Sequence, residues 1–175
     1  MKKRQLNTNI YLGIVAVIMA VLFYSSDQTY HQQTIVPQLH HFLPGRPGLK
    51  LLQGIDFTYA GEHVSLSALG YAKMVEFFIR KCAHYGTYFL MGWFMVLGLK
   101  DRLRNLGLTG VVCYLACLGY AASDEFHQML TGGRTPLFQD VMLDGTGSLD
   151  CHFDLGDLLW HSAKKTVALI RRLGL

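Results

Sequence analysis

Apolar residues in this chain gather into long runs that break at basic or turn-forming positions. The first run occupies 10–24, inside an uncharged stretch that reaches from Gln5 to Ser26. A second, 82–99, carries no charged side chain while His84 is neutral, and apolar positions extend it back through 74–79. A third covers 105–123. A helix that crosses the hydrocarbon core needs about 20 mainly apolar residues. Isolated strands leave backbone groups unpaired in lipid, so the spanning elements must be helical. The pattern therefore predicts an all-α fold, a small polytopic transmembrane bundle of three to four membrane helices with a long outer connection. The helices fall near 7–26, 71–99 and 105–129, and a fourth begins near Leu137.

The basic residues set an orientation. Lys2, Lys3 and Arg4 precede the first run, and Lys100, Arg102 and Arg104 follow the second. Basic flanks stay on the cytoplasmic side. The expected protein is thus a multi-pass membrane protein with a cytoplasmic N-terminus. A signal peptide would also begin with a basic cluster and an apolar run. No small-x-small cleavage pattern follows, and further apolar runs come later, which favours a retained first helix. The outer connection, about 25–72, is punctuated by Pro37, Pro44, Gly45, Pro47 and Gly48. Within it Ile35, Val36, Leu39, Phe42 and Leu43 share one helical face, suited to a segment lying on the membrane surface.

Composition agrees with this picture. The 175 residues suffice for one domain, and 16% are charged, below the roughly 25% of soluble domains. The net charge of +4 comes from residues that flank apolar runs, so no nucleic-acid partner is expected. Cys82, Cys113, Cys117 and Cys151 form no Cys-x-x-Cys pair, which gives no structural zinc site. Cys113 and Cys117 lie four apart on one face and read as small packing residues.

Two polar clusters interrupt the apolar pattern. Lys81, His84, Tyr85 and Tyr88 recur at helical spacing on one face of the second helix. Ionisable groups are expensive in lipid and turn toward the bundle interior. The second cluster is Ser123-Asp124-Glu125-Phe126-His127-Gln128, where Asp124, His127 and Gln128 share a face and Glu125 projects elsewhere. Gly132-Gly133-Arg134 makes a turn, and Asp140 and Asp144 follow, four apart, at the start of the next segment.

These residues leave three chemistries open. Lys81 and Arg134 could hold a phosphate. His84, Glu125, His127, Asp140 and Asp144 could bind a divalent metal, although no compact ligand motif is present and no metal site is assigned. His127 with Asp124 or Glu125 could act as a base. A fourth account is purely structural, a satisfied network that fixes helix packing. Lys81, His84, Tyr88, Ser123, Asp124, Glu125, His127, Gln128, Arg134, Asp140 and Asp144 are the candidate ligand-binding set. No catalytic residue, cofactor or oligomeric state is assigned.

The same residues carry a family resemblance. Arg80-Lys81-Cys82-Ala83-His84-Tyr85-x-x-Tyr88, then Ser123-Asp124-Glu125-Phe126-His127-Gln128, Gly133-Arg134, Asp140 and Asp144-Gly145-x-Gly147, resemble the two motifs of the VanZ-like family. Tyr24-Ser25-Ser26 after the first helix is also similar. The likeness covers about 10–149. It implies a bacterial membrane protein of about four helices. It also implies a link to low-level teicoplanin resistance, the property for which the family is named. It implies no particular reaction. Teicoplanin carries an acyl chain and acts at the outer membrane surface, where lipid-linked wall precursors are exposed. The expected partner is therefore a membrane lipid or lipid-linked envelope precursor, bound at an outer polar cluster. A membrane enzyme that hydrolyses or transfers a lipid phosphate, and a structural helper of another membrane protein, are the alternatives.

The C-terminus departs from the resemblance. After Leu149, three Asp fall within eight residues, at Asp150, Asp154 and Asp157. Each would resist a bilayer centre by about 2.5–3.5 kcal/mol. Residues 150–175 thus form an atypical charged tail beside a 1–149 membrane domain. One account is a surface helix. Another is a change of reading frame near Leu149, because codons can be chosen whose next frame encodes an apolar run. The second account predicts that Asp140 and Asp144 are poorly held, since their helix loses its apolar continuation.

Overall fold

The computed structural model describes residues 2–132, 136–152 and 154. Long helices match the apolar runs: α1 (Lys2–Ser26), then α2 (Tyr30–Gln33), α3 (Val36–Phe42) and α4 (Leu49–Gln53) in the connection. The strands β1 (Asp56–Tyr59) and β2 (Glu62–Ser65) follow, then α5 (Leu66–Leu69), α6 (Tyr71–Leu103) and α7 (Leu106–Gly132). A further helix, α8, occupies 138–152.

Local chemistry marks the breaks. The Ser65 hydroxyl caps α5 by accepting from the Ala68 amide at 3.3 Å. Gly70, at φ 74°, starts α6 from a backbone that suits glycine. Arg104 ends α6 in the left-handed region at φ 55°, and α7 resumes two residues later. That short reversal lays α7 antiparallel to α6.

The four long helices run up, down, up and down. Arg102 donates to Asn9 and the Tyr120 hydroxyl donates to the Met19 carbonyl, so α1 is antiparallel to α6 and parallel to α7. Asp140 meets Lys81 and Asp144 meets His84, so α8 runs parallel to α6. Glycines permit that last approach. A Cβ on Gly147 would stand 2.5 Å from the Tyr85 carbonyl oxygen, and one on Gly92 would stand 2.7 Å from the Cys151 sulfur. Small residues at such crossings let backbones come together.

The core is made of modest side chains and one tyrosine. Val15, Leu22, Tyr88, Met91, Cys117 and Ala121 pack together, with Val96 and Cys113 below. Many aliphatic residues face outward, among them Val17 and Val21 on α1 and Val111 and Leu115 on α7. Two helices, over Gln5–Ser26 and Leu106–Thr131, are long and apolar enough to cross a membrane. The expected second span does not reach that mark among the described residues. Its charge-free stretch includes His84, Tyr85, Tyr88 and Trp93, which lower its hydropathy.

Two expectations are corrected. The outer connection holds a β-hairpin as well as helices, with Phe57 opposite Val64 and Tyr59 opposite Glu62. Ala60 and Gly61, at φ 53° and 86°, supply the tight turn that matches strand twist. Asp140 and Asp144 are firmly held, by the contacts described below. α8 continues without a break through Asp150, Cys151 and His152, and Cys151 is fully buried. The expected tail falls mostly on residues 155–175, outside those described.

Candidate functional site

The bundle places its polar side chains at the end where α1 and α7 finish and α6 and α8 begin. A small cavity of about 70 Å³ lies there, lined by Arg80, Lys81 and His84 of α6, Glu125 and Gln128 of α7, and Asp140, Leu143 and Asp144 of α8. Six of the eleven candidate residues thus line one cavity. They reach it because i, i+3 and i+4 spacing aligns them on one face of each helix.

Two pairs join α6 to α8, Lys81 with Asp140 and His84 with Asp144. The Lys81 ammonium is bound by Asp140, and it also lies 4.6 Å from the centre of the Tyr59 ring. The Tyr59 hydroxyl donates to the same Asp140 carboxylate at 2.5 Å. Burial, and then this hydrogen bond, push the Tyr59 phenol well above its usual value, so it stays protonated and remains a donor. His84 Nδ1 stands 3.3 Å from Asp144 Oδ2. Asp144 is only 2% exposed, and its Oδ1 has no hydrogen-bond partner among the described residues. A buried acceptor left so is costly unless water or a ligand satisfies it. Glu125 accepts from the Leu137 amide at 2.9 Å, which anchors the start of α8.

The remaining candidates sit around the cavity. Gln128 donates to Asp124 at 3.1 Å, just behind the wall. Tyr88 is fully buried in the core, with its hydroxyl also unpartnered among the described residues. His127 turns away: its Nδ1 lies 2.6 Å from Ser26 Oγ, and its ring stacks on Phe23 at 4.3 Å. The base pairing expected between His127 and Asp124 or Glu125 is therefore replaced by His84 with Asp144. The metal set loses His127 for the same reason. Among the described residues no three His, Cys, Asp or Glu side chains converge where they could share a metal ion. Ser123 is exposed and donates to the Gly119 carbonyl at 2.9 Å within its own helix. Arg134 lies outside the described residues.

Two contributors, Tyr59 and Glu76, escaped the sequence reading, and Arg80 entered it only as part of the first motif. Tyr59 arrives on the hairpin, whose alternating Asp56-Phe57-Thr58-Tyr59 and Ala60-Gly61 turn were its signals. Glu76, 2% exposed, accepts from the Ile35 amide at 2.8 Å and from Arg80 at 3.3 Å. Arg80 also donates to Gln33 at 3.0 Å. Glu76 and Arg80 stand at i, i+4, a legible ion pair, but the link to the connection is not local.

The cavity lining holds three carboxyl side chains beside two permanent cations and His84. Glu125, Asp140 and Asp144 face Arg80 and Lys81, and both cations are engaged by carboxylates. What stays open is acceptor capacity, at Asp144 Oδ1 above all. Such a cavity suits a hydrogen-bond donor, a hydroxyl or an ammonium group.

No curated protein and no solved structure matches the chain. The VanZ/LLP1 family matches residues 11–152, from within α1 to the end of α8 and with every element of the cavity, and the chain belongs to that family.

Proposed function

We propose that the protein spans the bacterial cell membrane through α1, α6, α7 and α8, with its N-terminus in the cytoplasm, and binds the polar head of a lipid or lipid-linked envelope component at the outer end of the bundle. The buried Asp144 Oδ1, without a hydrogen-bond partner among the described residues, carries this reading. Outward-facing valines and leucines on α1 and α7 support immersion in lipid, and the 33 residues of α6 are long enough to cross it. A cavity of about 70 Å³ admits one polar group and not a whole head group. A hydroxyl or ammonium would satisfy Asp144, while an attached phosphate would draw on Arg134, since Lys81 is already neutralised by Asp140. Occupying wall precursors or lipids at that surface would change the site where an acylated glycopeptide acts, and so contribute to teicoplanin resistance.

Lipid retention by the purified chain tests the reading. Asp144→Asn and Arg134→Gln are each expected to weaken retention of a phosphate-bearing, lipid-linked head group by about tenfold, near the worth of one charged hydrogen bond. Equal retention by wild type and both variants would overturn it. The His84–Asp144 pair beside the cavity favours a second reading, a general base acting on a lipid phosphate. Turnover of such a lipid, lost in His84→Gln, would select that reading over simple binding.

A further inference from the structure

The opposite end of the bundle holds a larger and chemically different hollow. It measures about 840 Å³ and is lined by Gln5 and Thr8 of α1, Lys100, Asp101 and Arg102 of α6, Arg104 of the turn, and Leu106 of α7. Among the described residues, three cations and one carboxylate line it. Arg102 donates to Asn9 at 3.0 Å, a neutral partner that leaves its charge in place. Among the described residues neither Lys100 nor Arg104 forms an ion pair. The hollow also has a depth reference. The two helices apolar enough to cross a membrane begin at Gln5 and Leu106, and both residues line it. Leu6, Ile10 and Leu108, all exposed, stand next along those helices.

From this arrangement we infer that the hollow is a second binding site, for the phosphoryl group of an anionic phospholipid. Arginine presents paired donors to phosphate oxygens, and lysine adds a point charge. The apolar side chains beside the rim would meet the acyl chains. A basic hollow at the membrane boundary is where anionic head groups concentrate. The reversal that lays α7 antiparallel to α6 also gathers Lys100, Arg102 and Arg104 around one opening.

The full chain, purified in mild detergent, is titrated with phosphatidylglycerol, phosphatidylcholine or inorganic phosphate, and bound species are read by native mass spectrometry. Wild type is expected to prefer phosphatidylglycerol. Lys100→Gln with Arg104→Asn should weaken that binding about 25-fold, near fivefold per cation. Asparagine is chosen because it tolerates the left-handed backbone at 104. Lys50→Gln, at an exposed cation of α4 that lines neither cavity, should leave it unchanged. Asp101→Asn removes the lone acid and should strengthen binding, which keeps the test open if the paired variant misfolds. Displacement by an equal concentration of inorganic phosphate would overturn the lipid as the source of the phosphoryl group. Equal binding of the two lipids by wild type, or no response to these substitutions, would overturn the site.

Discussion

The two ends of this bundle share α6 and α7 and solve opposite problems. At one end, Lys81 and His84 of α6 answer Asp140 and Asp144 of α8 in a tight space. At the other, Lys100, Arg102 and Arg104 surround a hollow about twelve times as large, with one acid among them. Enclosed charges must be paired, because desolvation is costly. Charges on an open rim stay hydrated and remain available. The first end therefore depends on helix placement, and the second depends on local sequence.

The largest expected effect separates the ends through α8. Gly147→Ala would drive a methyl into the Tyr85 carbonyl, 2.5 Å away, where backbone cannot yield cheaply. We expect a loss of about 3 kcal/mol or more in unfolding experiments, as for severe overpacking. Head-group retention at the acidic end should fail, while the basic hollow, which α8 does not line, keeps its lipid. Loss of both together would break the comparison. Gly119→Ala, with open space around it, is the matching control and should stay within about 0.5 kcal/mol of wild type.

Asp140→Ala comes next. It leaves Lys81 and the Tyr59 hydroxyl without their shared acceptor. About 2 kcal/mol of destabilisation is expected, less than for a fully buried pair because both partners are partly exposed. A double-mutant cycle with Lys81→Ala should show coupling between the two. Additive effects would mean that the acidic end is held by packing alone.

Salt should sharpen the contrast further. Raising ionic strength from about 0.05 M to about 0.5 M shortens the screening length severalfold. Lipid binding at the basic hollow is expected to weaken about tenfold, and binding at the enclosed cavity less than twofold. The smallest effect belongs to Arg102→Gln. Its bond to Asn9 is exposed, so unfolding should change by no more than about 0.5 kcal/mol while anionic lipid binding falls.

Much of this arrangement was written along the chain. The uncharged runs fixed where α1 and α7 lie, because burying or immersing a helix requires apolar side chains at every turn. The i, i+3, i+4 spacing of Lys81 and His84, and of Asp140 and Asp144, put each pair on one face, since helix geometry is local. The same sequence left the partners open. Nothing near His127 announces Ser26, which is 101 residues away, and nothing near Lys81 announces Asp140, 59 residues away. Tyr59 joined the site only because a hairpin carried it there. Those pairings follow from how closely α8 approaches α6 at Gly147 and Gly92, and from which face α1 turns toward α7. Tertiary packing decided them, because the energy of a charge in a bundle depends on the neighbour that packing supplies and not on its own position in the chain.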